Sequence, residues 1–195
     1  MNILKSVLLT SVILFSWVSL SAQNNIDSSD RANKFISLEI GPKINLRTTP
    51  DTLAGSGFGV MIDYGWQVGG LKGKKRRSFI TIPLGYSFIV DNKNREISRQ
   101  LNYGWAVSHE LSRDSNFVPF LGYGLLLNQY YFDGIKGSLF GHQSRFEFGI
   151  NYFINSRWGL YGKLDYSYIR LPVLGESKSK SLHQTEVKFG AKFNF

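Results

Sequence analysis

From Phe35 onward, apolar and polar residues alternate with a period of two, the pattern of strands that carry one apolar face. Glycine, proline and polar clusters divide this alternation into eight stretches. Residues 34–45 set Ile36, Leu38, Ile40 and Ile44 against Ser37, Glu39, Gly41 and Lys43. Residues 56–68 set Phe58, Val60, Ile62, Tyr64, Trp66 and Val68 against Gly59, Met61, Asp63, Gly65 and Gln67. Residues 78–89 align Ile80, Ile82, Leu84, Tyr86 and Phe88, and residues 96–110 set Leu101, Tyr103, Trp105 and Val107 against Asn102, Gly104, Ala106 and Ser108.

The second half repeats the pattern. Residues 117–130 align Leu121, Tyr123, Leu125 and Leu127 opposite Gly122, Gly124 and Asn128. Residues 141–154 set Phe146, Phe148, Ile150, Tyr152 and Ile154 against Arg145, Glu147, Gly149 and Asn151. Residues 157–170 set Trp158, Leu160, Leu164, Tyr166 and Tyr168 against Lys163, Asp165 and Ser167. Residues 183–195 set Val187, Phe189, Ala191, Phe193 and Phe195 against Glu186, Lys188, Gly190, Lys192 and Asn194. No segment of helical period competes. The pattern predicts an all-β, eight-stranded antiparallel up-and-down barrel.

Such a barrel has two possible orientations. A soluble, lipocalin-like carrier turns its apolar face inward, and a membrane barrel turns it outward. Volume separates them, because the interior of an eight-stranded barrel is just wide enough for side chains to fill. The large Phe, Tyr, Trp, Leu and Ile residues above would overfill it, whereas the glycine-rich face suits a narrow lumen. That face also carries Glu39, Lys43, Asp63, Arg145, Glu147, Lys163, Asp165, Glu186, Lys188 and Lys192, acids and bases in equal number. A balanced set can pair inside a closed barrel, where a lone charge is costly, and apolar residues facing lipid need no partner. Each stretch runs to roughly 11–15 residues, enough for the ~9–11 that cross a tilted barrel wall. The expectation is therefore a transmembrane barrel in the bacterial outer membrane, in contact with its lipid and lipopolysaccharide.

With both barrel ends in the periplasm, Trp66, Trp105 and Trp158 fall toward the periplasmic side, with Phe193 and Phe195, as an aromatic girdle at the membrane interface. An alternating strand that ends on Phe195 resembles the carboxy-terminal signal of bacterial outer-membrane barrels, and implies the barrel-assembly machinery as a partner. Connections are expected at 47–55, 90–95, 131–140 and 171–182 on the outer side. Pro83 falls mid-strand, where it removes a ladder hydrogen bond, and a local bulge is expected there.

The amino-terminus reads differently. A short basic start with Lys5, an apolar run over 7–18 and the small residues Ser19, Ser21 and Ala22 form the grammar of a secretory signal peptide. This divides the chain into a signal segment, 1–22, and a barrel domain, 23–195. Composition agrees with export of a folded domain. The 195 residues are 15% aromatic and 19% charged, which excludes a disordered chain, and the absence of cysteine removes disulfides and thiolate chemistry.

The formal charge of +9 owes much to Lys72, Lys74, Lys75, Arg76 and Arg77, read as a solvated hairpin tip. Nucleic acid is not an expected partner, because the patch is small and the chain is exported. His142 and His183 are expected near the outer rim and His109 near the opposite end; no metal site or cofactor is expected. The stretch Gly55-Ser56-Gly57-Phe58-Gly59 lacks dinucleotide-loop spacing and opens a strand, and no G-x-S-x-G elbow occurs. The lumen charges read as a structural network that closes the barrel to solutes, and the protein as a monomer.

The whole pattern resembles the small outer-membrane barrels common in Bacteroidota, with the general build of the OmpA/OmpX group. One part is closer. Val118-Pro119-Phe120-Leu121-Gly122-Tyr123-Gly124, Arg145-Phe146-Glu147-Phe148-Gly149 and Arg157-Trp158-Gly159-Leu160 are similar to the acyloxyacyl hydrolase (lipid A 3-O-deacylase) barrels. That resemblance implies a His-x-Ser-Asn motif on the strand after the matching tryptophan. Here the stretch reads Asp165-Tyr166-Ser167-Tyr168-Ile169-Arg170, with tyrosines where base and nucleophile would stand. No catalytic residue is assigned. The expected role is non-enzymatic, in envelope structure or surface contact, with a lipid acyl-ester hydrolase and a soluble periplasmic carrier as alternatives.

Overall fold

In the computed structural model, the described residues are 32–49, 55–69, 77–91, 97–112, 115–132, 138–171 and 180–195. The signal segment 1–22 and the basic residues Lys72, Lys74, Lys75 and Arg76 lie outside them. Eight strands follow in order: β1 (Lys34–Thr49), β2 (Gly55–Gly69), β3 (Arg77–Asp91), β4 (Ile97–Glu110), β5 (Phe117–Phe132), β6 (Leu139–Phe153), β7 (Trp158–Leu171) and β8 (Lys180–Asn194). Each pairs antiparallel with its neighbour in sequence, and β1 pairs with β8, so the sheet closes on itself. Closure leaves no free strand edge.

Several strands run beyond their expected ends. β1 continues to Thr49 and pairs there with Ser181, β6 begins at Leu139, and β8 begins at Lys180. The connections are correspondingly shorter than the sequence reading gave them. Pairing carries the alternation outward past the last clearly patterned residue.

Pro83 is accommodated without a bulge. The β3–β4 ladder steps from Thr81↔Ala106 to Leu84↔Tyr103 with its register unchanged, while Pro83 stays opposite Asp63 on the β2 side. The missing N–H therefore interrupts one ladder locally and shifts nothing. The register shifts lie elsewhere, at 45–47 against β8 and at 67–69 against β3, both near barrel rims.

Side-chain orientation follows the alternation. Ile36, Leu38, Ile40, Leu84, Leu127, Phe146, Phe148, Leu164 and Phe189 are exposed on the outside, and the opposite face is buried. The narrow bore is filled by placing large residues against glycines directly across the ladder. Phe35 lies opposite Gly65, Phe120 opposite Gly149, Tyr161 opposite Gly190 and Glu147 opposite Gly122. A Cβ on Gly190 would stand 2.6 Å from Tyr161 Cζ, and one on Gly149 would stand 2.6 Å from Phe120 Cζ. Strand glycine here makes room for a neighbour's ring, a packing reason for its abundance on the inner face.

Candidate functional site

The lumen is layered. At the end where β1 begins and β8 finishes, Phe35, Phe79, Phe120, Phe153 and Tyr161 are buried. Lys192 reaches among them, with its Nζ 3.9 Å from the Phe35 centroid and 4.9 Å from that of Phe79, and 3.7 Å from Glu110 Oε1. An ammonium over aromatic faces is stabilised by the ring quadrupoles, more so when removed from water.

The middle layer is ionic. Lys188 Nζ meets Glu39 Oε1 at 3.1 Å, Asp165 Oδ2 at 2.9 Å and Glu186 Oε2 at 3.0 Å. Lys163 Nζ meets Glu39 Oε2 at 2.8 Å and Glu147 Oε2 at 3.1 Å, and Lys43 Nζ meets Glu186 Oε1 at 2.9 Å. Arg145 adds a 3.4 Å contact to Glu147 and a hydrogen bond to Met61 Sδ, and the Tyr161 hydroxyl donates to Glu39 at 2.9 Å. Asp63 accepts from Ser37 Oγ at 3.4 Å. All ten sequence-nominated lumen charges are buried, each at 7% exposure or less. Their strands surround one narrow space, so Lys188 and Lys163 each bridge carboxylates from different strands and Lys43 ties β1 to β8 through Glu186.

Above the ions lies a layer of amides and hydroxyls. Lys43 donates to Gln100 Oε1 at 2.7 Å, and Gln100 donates on to Asn128. Gln184 donates to Asn45 at 2.8 Å, and Gln143 to Ser167 Oγ at 2.6 Å. Beyond them Tyr130, Ile169, Leu171 and Leu182 form an apolar plug with Leu139 packed against it. A cavity of about 40 Å³ remains in the lower half, lined by Asp63, Glu110, Glu147, Lys163 and Lys192 among others. It has room for water, but it is far below the ~300–1,000 Å³ of a site for a drug-sized ligand. The reading as a soluble carrier with an apolar interior is therefore overturned: the apolar side chains are outside, and charge fills the centre.

Two lumen charges escaped the sequence reading. Glu110 is buried beside Lys192. Arg77, read as part of a solvated tip, is 5% exposed: its Nε donates to Gln67 at 2.9 Å and its guanidinium to the Ala32 carbonyl at 2.8 Å. Strand parity carries the signal for both. Glu110 follows Asn102 and Ala106 on the inner face of β4, and Arg77 precedes Phe79 and Thr81 on that of β3.

The outer face carries the expected girdle aromatics. Trp158 and Phe193 pack at 4.8 Å between centroids, Phe193 and Phe195 at 6.2 Å, Phe195 and Tyr64 at 6.3 Å, and Tyr64 and Trp66 at 5.9 Å. This chain of rings crosses the seam where β8 meets β1. Trp105 is also outward but sits within β4, opposite Leu125, rather than at a strand end. Near the other end His142 and His183 lie on the outer face and His109 at the terminus end, where Ser78 Oγ is 2.8 Å from its Nδ1. Ser167 faces the lumen, away from lipid.

Among solved structures the chain is similar to Neisserial surface protein A (NspA), at a TM-score of 0.62 and 16% identity over 83% of this chain and 97% of that one. The fold is that of a small outer-membrane β-barrel. The outer membrane protein OprG from Pseudomonas aeruginosa matches at 0.50 and 12% identity, covering 85% of this chain and 98% of that one. The outer membrane enzyme PagL matches at 0.53 and 13%, covering 80% and 97%. At these identities the likeness is one of fold, and the fold is shared by an enzyme. No protein-family model matches the sequence, and no curated protein matches it.

Proposed function

We propose that the protein is a non-enzymatic, solute-closed integral barrel of the bacterial outer membrane, serving envelope structure and surface contact. The observation that carries this reading is the sorting of side chains: exposed Leu, Ile, Phe and Tyr outside, ten paired or hydrogen-bonded charges within. A wall of that kind is stable only in hydrocarbon, where its closed ladder satisfies every strand. The ionic layer locks neighbouring strands, and the plug and aromatic layers close both mouths. Residues 1–22 serve as the export signal and 23–195 as the barrel, which works as a monomer. Its β8 strand, running to Phe195, is what the barrel-assembly machinery would engage.

The test is fractionation with gel mobility. The expected protein stays with the outer membrane, requires detergent for release and migrates faster unboiled than boiled. Reconstituted into planar bilayers, it passes no steady ionic current. Recovery in the soluble periplasm, or a stable open conductance, overturns the reading.

One observation favours a second reading, a lipid acyl-ester hydrolase. Tyr166 Oη and His183 Nδ1 are 2.6 Å apart on the outer face, so β8 supplies an imidazole where the resemblance had left tyrosine without a base. Mass spectrometry of lipid A and phospholipids from wild-type and deletion cells separates the two: identical acyl patterns remove the hydrolase.

A further inference from the structure

The charges of the strands are sorted by face as well as by depth. The carboxylates of Glu39, Asp63, Glu110, Glu147, Asp165 and Glu186 all point into the lumen. Among the described strand residues, the Lys, Arg and His side chains that face outward gather at the two ends. Lys34 and His109 stand at the terminus end, and Arg99, His142, Arg170 and His183 toward the other.

Three of the second group lie on adjoining strands. His142 on β6 is directly opposite Arg170 on β7, and Tyr168 on β7 is directly opposite His183 on β8. The His183 ring packs 5.2 Å from that of Tyr168 and is tied through Nδ1 to the Tyr166 hydroxyl at 2.6 Å. That bond anchors the ring through Nδ1 and leaves Nε2 directed away from Tyr166; Nε2 carries a proton when the tyrosine donates to a neutral ring or when the ring is charged. The imidazole is thereby held on the outer face, diagonal to Arg170 across the β7–β8 ladder. Below the group, on the same strands, Phe146, Phe148, Leu164 and Phe189 are exposed at 49–56%. Donors at the rim above an apolar track match a lipid with an anionic head and several acyl chains. Guanidinium and imidazolium groups recognise phosphate by charge-assisted hydrogen bonds.

We propose that the outer rim of β6–β8, formed by His142, Arg170 and His183 and braced by Tyr166 and Tyr168, binds a phosphate of lipid A in the outer leaflet. The inference rests on the outer-membrane orientation above, which puts this end of the barrel at the cell exterior. Lipid A is the occupant because its phosphates sit at that interface and its several chains suit a track spanning three strands.

The test is native mass spectrometry of the refolded protein in detergent, titrated with bisphosphorylated lipid A, dephosphorylated lipid A or phosphatidylglycerol. The expected result is retention of the bisphosphorylated form, at least about tenfold weaker retention after Arg170→Gln or after the double change His142→Gln, His183→Gln, and partial rescue by Arg170→Lys. Arg99→Gln, on β4, is expected to leave binding unchanged. Heat-modifiable gel mobility confirms that each variant is folded. Equal binding of all three lipids, equal binding by the folded variants, or equal loss with Arg99→Gln overturns the site. Fractionation of the wild type outside the outer membrane instead overturns the reading beneath it.

Discussion

The ring of Phe35 occupies the space that a Cβ on Gly65 would fill, directly across the β1–β2 ladder. The same complementarity recurs around the bore, so barrel packing is specified pair by pair across strands. Gly65→Val is expected to lower stability by about 1–3 kcal/mol through overpacking, and the double change with Phe35→Ala to recover part of that loss. Urea unfolding midpoints in detergent micelles measure both. Simple additivity would show that the ring and the glycine are uncoupled.

Lys188 is the centre of the ionic layer, within 3.1 Å of three carboxylates. Lys188→Met removes the one cation that all three share, leaving Glu39 to Lys163, Glu186 to Lys43 and Asp165 with only a 3.8 Å contact to Lys163, and is expected to cost about 3–5 kcal/mol. Adding Asp165→Asn removes one excess negative charge and is expected to restore part of the stability. The same unfolding assay decides, and a Lys188→Met protein as stable as wild type would remove the network from the account of rigidity.

The apolar plug and the ions close the lumen independently. Leu182→Ala is expected to destabilise by about 2–5 kcal/mol, the range for a buried leucine. It should not open a conductance, because the charged layer below remains filled. Planar-bilayer recording together with unfolding tests both halves of that statement.

Position along the strand separates the tryptophans. Trp158 opens β7 and Trp66 lies near the close of β2, whereas Trp105 sits within β4. In variants that keep one of these three at a time, lipids brominated near the glycerol are expected to quench Trp66 and Trp158 most strongly. Lipids brominated farther down the chain should quench Trp105 best. Equal quenching profiles would place all three in one interfacial belt.

Much of this was legible in the residues because a strand has only two faces. With Leu38 outward, Glu39 must be inward, and the volume of the bore decides which face is which. What escaped was local context overriding parity. Arg77 sits in a run of basic residues whose composition speaks for solvent, yet β3 begins on it and turns it inward. Pro83 invited a bulge because a missing N–H is costly in a ladder, yet one interrupted rung costs less than shifting every side chain beyond it. The exterior pairing of Tyr166 with His183 joins residues far apart in the chain, and it follows only from the β7–β8 register, which alternation leaves open.

Phe195 donates its backbone N–H to the Lys34 carbonyl at 2.9 Å, and its ring reaches Tyr64 over β1. The wall is therefore sealed where the two ends of the strand order meet. Without the β1–β8 pairing the wall is a split cylinder with raw margins on those two strands. Everything inside the bore, including each buried ammonium and carboxylate, stays open to water through that slit. Sealing and drying of the centre thus become one event, the meeting of β1 with β8.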